Sequence, residues 1–152
     1  MSQAKDIATA IGVAIALFTF LKGVIEYVRQ GAQKRAEQFA LMRSRLKEND
    51  TFKELCALLE TDDPKLAEIP FKEKRDLLGF FEEVALMTNS SLIRNEVAHY
   101  MFGYYAIKCW ESKYFWSTIN RESIYWSLFR DFVEQMKQVK QSFQYNRRKF
   151  RY

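Results

Sequence analysis

From Ile7 to Leu21 the chain reads IATAIGVAIALFTFL, fifteen residues without a charge. The segment Arg29 to Lys47 then carries Arg29, Lys34, Arg35, Arg43, Arg45 and Lys47 against the single acid Glu37. Fifteen residues fall short of the ~20 that cross a bilayer core, but continuing to Val28 gives roughly 33 Å of helix at ~1.5 Å per residue, with Lys22 able to snorkel and Glu26 one turn on. The spacing therefore predicts a transmembrane helix. Because Lys and Arg favour the cytoplasmic side, the basic cluster predicts an inner (cytoplasmic) membrane protein with a short N-terminus outside and the rest of the chain in the cytoplasm. Three other readings compete. A cleaved signal peptide is disfavoured by Phe20, Leu21 and Lys22 where small residues belong, and by Asp6 in the supposed basic head. A core helix of a soluble protein also fits a fifteen-residue run, as does an interfacial anchor.

Within the span, Ala8, Gly12, Ala16, Thr19 and Gly23 recur at helical spacing, beside a second stripe of Ile7, Ile11, Ile15 and Phe18. Small side chains let helix backbones approach closely in lipid, so the stripe predicts a homo-oligomer packed on that face. Ala and Gly are common in membrane helices generally, which is the plainer account of the same residues. Lys22 facing Glu26, of its own helix or the next, is either part of a charged pathway or a solvated boundary pair.

Beyond the anchor, the 152-residue chain retains enough length for one domain. The expected division is 1–47, transmembrane helix and basic stalk, and 48–152, a helical cytosolic domain. Cys56 and Cys109 lie in apolar helical patterns without CxxC spacing, so buried reduced thiols are expected, with no structural metal. The net charge of +5 is concentrated in the stalk and in Arg147, Arg148, Lys149 and Arg151. Membrane lipids with acidic headgroups and a phosphate-bearing ligand are the matching partners. Duplex nucleic acid is not expected.

Two prolines, five glycines and helical apolar spacing predict an all-α chain. The membrane helix should run unbroken through Arg29 to Leu46. Asn49 and Asp50 are caps for a short helix bearing Phe52, Leu55, Cys56 and Leu59, stopped by Asp62, Asp63 and Pro64; Pro64 suits the first turn of a small helix ending near Ile69. A helix over Phe71 to Thr88 should bury Leu77, Leu78, Phe81, Val84, Ala85 and Met87. Another, capped by Asn95 and running to Glu111, should bury Val97, Ala98, Met101, Phe102, Tyr105, Ala106 and Cys109, with Gly103 a place for another backbone to come close. The last, from Arg121 to Tyr145, carries Tyr125, Leu128, Phe129, Phe132, Val133, Met136, Val139 and Phe143.

The chemistry is sparse. His99 is the single histidine, four residues after Asn95 and so on its helix face; together they could orient a phosphate, but no Cys or Ser in a nucleophile context accompanies them, and a lone helical histidine is more often structural. Glu82 and Glu83 point about 100° apart and make no dyad. No Walker loop, GxGxxG or HExxH is present. Catalytic residues, cofactors and metal ligands are therefore not expected, and the protein reads as a non-enzyme. Aromatic residues, 16% of the chain, crowd between Tyr100 and Trp126 among cations. Stacking faces beside cations suit a nucleotide, which nominates His99, Tyr104, Lys108, Lys113, Trp116, Arg121 and Arg130 as ligand-binding residues. Filling of a small helical core is the competing account.

FFEEVALM (Phe80 to Met87), then Leu92, Ile93 and HYMFGYYAIKCWES (His99 to Ser112), resembles a family of small bacterial proteins with one N-terminal membrane helix and a helical cytosolic domain. In size and layout the chain is also similar to the membrane effectors of type III CRISPR defence, one kind of which binds cyclic tetra-adenylate through a tetrameric cytosolic domain. That likeness implies an antiviral defence effector which binds a cyclic oligonucleotide, as a homo-oligomer such as a tetramer, and perturbs the membrane. The alternative is a non-catalytic inner-membrane scaffold that holds a partner protein or anionic lipid.

Overall fold

The computed structural model describes the backbone of residues 2–142 and the side chains of residue 7 and residues 11–142. The tail cations Arg147, Arg148, Lys149 and Arg151, the stripe residue Phe143, the helix end at Tyr145 and the side chain of Ala8 lie outside the described residues. The protein is all-α: a long N-terminal helix followed by a small helical domain. Two compact units are formed, Met1–Glu37 and Gln38–Tyr152.

Helix α1 spans Ser2–Glu48 without a break. Its apolar stretch is long and apolar enough to cross a membrane. Ile11, Ile15, Phe18, Phe20 and Ile25 are all more than half exposed, Phe18 at 71%. Apolar side chains exposed along such a run call for lipid or other apolar surroundings. Glu26 accepts a hydrogen bond from Gln30 Nε2 at 3.4 Å, and no Lys22–Glu26 ion pair forms among the described residues.

The second unit begins at Gln38, and Phe39, Met42 and Leu46 on the last turns of α1 are buried in its core. Arg45 fixes the same turns to the helix Phe71–Asn89 (α3) through a bidentate ion pair with Glu83, whose longer arm is 3.3 Å, and stacks over Phe80 at 5.7 Å. Helix α2, Asp50–Thr61, starts where Asn49 Oδ1 accepts from Phe52 N at 3.1 Å. It stops at Asp62, which is left-handed at φ 50°. Asp63 caps a 3-10 turn, Pro64–Ala67, which brings Leu66 into the core.

Helix α3, Phe71–Asn89, buries Leu77, Leu78, Phe80, Phe81, Val84 and Ala85, with Lys74 on the same inward stripe. Helix α4, Asn95–Ala98, passes into a π-helical segment, His99–Gly103, and then α5, Tyr104–Glu111. Arg94, whose side chain makes no capping hydrogen bond, takes the N-cap position expected of Asn95.

Helix α6 is shorter than expected at its start and covers Ser127–Ser142. Asn120 Oδ1 accepts from Glu122 N at 3.1 Å, and Ser123 caps a 3-10 turn at Ile124–Trp126. Such local side-chain bonds give the backbone an alternative to the helix. Tyr125, expected on the inward stripe, is 82% exposed as a result. The core is strongly aromatic: Phe80 meets Phe52, Phe81 and Phe102 at 5.5–5.7 Å between ring centroids, and Phe129 stacks on Phe81 at 5.5 Å. Most of the aromatic excess is therefore packing.

Candidate functional site

The π-helical segment inserts an extra residue into the α4–α5 run, and such bulges frequently mark functional sites because they re-aim side chains within one helix. Here His99 and Tyr100, with Tyr104 from the following turn, line one cavity of about 240 Å³. Ile107 forms its apolar wall, Lys108 and Glu111 continue the α5 side, and Lys140 closes it from α6. Tyr100 is 60% exposed and Tyr104 51%, so both rings present surface to a ligand. Gly103 packs against side chains rather than another backbone: a Cβ there would stand 2.9 Å from His99 Cδ2 and 3.3 Å from Met136 Sδ. The helical turn can therefore close over the imidazole only because position 103 has no side chain.

Charge in the cavity is positive. Lys108 Nζ sits 5.9 Å from the centroid of Tyr104 and donates to Glu60 O at 3.3 Å. Glu111 is partly offset by Lys137, whose Nζ lies 3.3 Å away. Burial, and next the charge of Lys140, push the His99 pKa below its ordinary value, so the imidazole is neutral near pH 7. The cavity thus combines two aromatic faces, two ammonium groups and a neutral imidazole. It can stack a planar group and neutralise an anion.

Of the residues nominated from sequence, His99, Tyr104 and Lys108 come together here. The others lie elsewhere. Trp116 is buried, its Nε1 donating to Cys109 O at 2.8 Å. Lys113 lies over its neighbour Tyr114 at 5.6 Å. Arg121 stacks on Trp110 at 5.1 Å and pairs with Glu122, and Arg130 pairs with Asp131 at 3.7 Å. Tyr100, Ile107, Glu111 and Lys140 belong to the cavity and were missed. The signal for Tyr100 was its adjacency to His99, whereas only packing of α6 reveals Lys140.

Both thiols are buried and free. Burial pushes Cys56 up to about 12 and Cys109 well above the usual thiol range, so neither is a ready nucleophile at neutral pH. No group of three or more metal-ligating side chains occurs among the described residues. In comparisons with known proteins, no family model, no curated protein and no solved structure matches this chain.

Proposed function

We propose that this protein is a membrane-anchored, non-catalytic effector of antiviral defence, whose helical domain binds a cyclic oligonucleotide messenger and whose N-terminal helices associate and perturb the membrane. One observation carries the ligand part: exposed Tyr100 and Tyr104 stand beside Lys108 and Lys140 around one cavity. Base stacking on such rings contributes about 1–3 kcal/mol per base, and ammonium groups answer the phosphate charge. The membrane part is supported by the exposed apolar run of α1 and the cations that follow it. Association of copies is supported by the open face at Gly12 and Gly23, where an added Cβ would meet nothing within 4 Å. The defence setting rests on the likeness of layout alone.

Calorimetric titration of the full-length protein in lipid discs with cyclic oligoadenylates tests the ligand. Saturable binding is expected, weakened about tenfold or more by Lys108→Glu or Lys140→Glu. Arg130→Glu, outside the cavity, should bind as wild type does. Absence of saturable binding across the series, or equal loss in all three variants, contradicts the reading. A scaffold for a partner protein or anionic lipid is the second reading, favoured by the 3-10 turn where Ile124 and Tyr125 are 81% and 82% exposed. It would leave the nucleotide titration flat.

A further inference from the structure

The reverse side of the π-helical segment lines a second cavity. Met101 lines it together with Leu46 of α1 and Ala57 of α2, with Cys56 and Phe102 packed beneath, a half-open hollow of about 300 Å³. Its rim is basic: Arg43 and Lys47, one helical turn apart on α1, and Lys53 on α2. Lys53 is already paired with Asp50 at 2.7 Å. Arg43 and Lys47 make no hydrogen bond or ion pair among the described residues. The one acid on the wall, Glu60, accepts the Tyr105 hydroxyl at 2.9 Å and is thereby held on the α5 side. Two unpartnered cations over an apolar floor make the recognition surface of an anion that carries an apolar or aromatic group.

We infer that this cavity is a binding site for a phosphate monoester bearing an apolar or aromatic group, with the phosphate on Arg43 and Lys47 and the organic part on Leu46, Ala57 and Met101. The site is separate from the His99 cavity and does not depend on it. Both cavities are built on opposite sides of the same five-residue segment, His99–Gly103. An occupant here would tie the last turns of α1 to α2 and to that segment. Lipid headgroups and nucleotides share the required chemistry.

A cysteine placed at Ala57, an exposed residue of the cavity wall, gives a local readout, with buried Cys56 and Cys109 as internal controls. Alkylation of the full-length Ala57→Cys protein in phosphatidylcholine discs by iodoacetamide at mildly alkaline pH, followed by mass spectrometry, measures protection of that position. Octyl phosphate represents the lipid-like source and adenosine 5′-monophosphate the nucleotide source. At least one should protect position 57 saturably, with octanol, adenosine and inorganic phosphate each weaker by about tenfold or more. Protection by octyl phosphate alone identifies the lipid-like ligand, protection by the nucleotide alone the soluble one, and protection by both a general phosphate-monoester site. With Arg43→Gln and Lys47→Gln added (the double variant) the midpoint should rise about tenfold or more, while Arg130→Glu, outside both cavities, should leave it unchanged. Failure of both monoesters, equal protection by octanol or adenosine, an unchanged midpoint in the double variant, or an equal shift in the Arg130→Glu control would overturn the site.

Discussion

Asp62 does two jobs at one position. Its backbone ends α2, with φ 50° and its N–H directed to Leu58 O and Leu59 O. Its carboxylate accepts from Ser112 Oγ and from Lys113 N, joining α2 to the turn after α5. Asp62→Ala should therefore lower unfolding stability by about 1–3 kcal/mol, and Asp62→Asn by less. Chemical denaturation of the two variants checks this; an alanine variant within ~0.5 kcal/mol of wild type would show that the carboxylate contacts contribute little. Lys74 is the opposite case, a buried ammonium group with no hydrogen-bond partner among the described residues, lying 5.7 Å from the Phe115 centroid. Burial lowers its pKa. A lysine whose folded pKa is depressed favours the unfolded state at low pH, so its unfavourable contribution fades as pH rises from the folded value toward about 10.4, the unfolded one. Lys74→Met should stabilise the domain by about 1–3 kcal/mol and flatten that rise. Loss of stability in the methionine variant would mean that the ammonium group is satisfied. The inward spacing with Leu77, Leu78 and Phe81 was legible in the sequence, but charge made Lys74 read as a solvated residue.

Among the elements, those with local stop signals were legible. Asn49 opens α2, Asp63 and Pro64 set the 3-10 turn, and α3 falls within a residue of its expected end. The start of α6 was not legible, because competing caps at Asn120 and Ser123 break a stripe whose spacing alone continues the helix. Nor was the π-helical segment, which depends on how His99 and Met136 pack around Gly103. Gly103→Ala puts a methyl into the imidazole, so it should cost about 1–3 kcal/mol of stability and weaken ligand binding at the adjacent cavity. Thermal unfolding and titration read the two effects; an alanine variant unchanged in both would show that the segment yields freely. In α1, Gly12 has nothing within 4 Å of an added Cβ, so bulk there meets no part of its own chain. Gly12→Leu with Ala16→Leu should reduce crosslinked oligomers while ligand affinity persists. Normal crosslinking would remove this face from the packing.

For the whole molecule, the all-α layout and the division into a long apolar helix and a helical domain followed from periodicity and composition, because both are set by local spacing. The candidate site was only partly legible. His99, Tyr104 and Lys108 share one helix and could be grouped by spacing, whereas Lys140 arrives from α6, and Trp116 was drawn into the core by the same aromatic character that nominated it. The proposed function joins a ligand event in the domain to a membrane event at α1, and a ligand shifts such a two-state system only through its different affinity for the two states. Dye release from liposomes carrying the full-length protein, with cyclic oligoadenylate added, tests that coupling directly. The account predicts ligand-dependent release that Lys108→Glu with Lys140→Glu abolishes by loss of binding, and that Gly12→Leu with Ala16→Leu abolishes without loss of binding. Liposomes that stay sealed while wild-type protein binds the ligand, or that leak equally with and without it, would contradict the account.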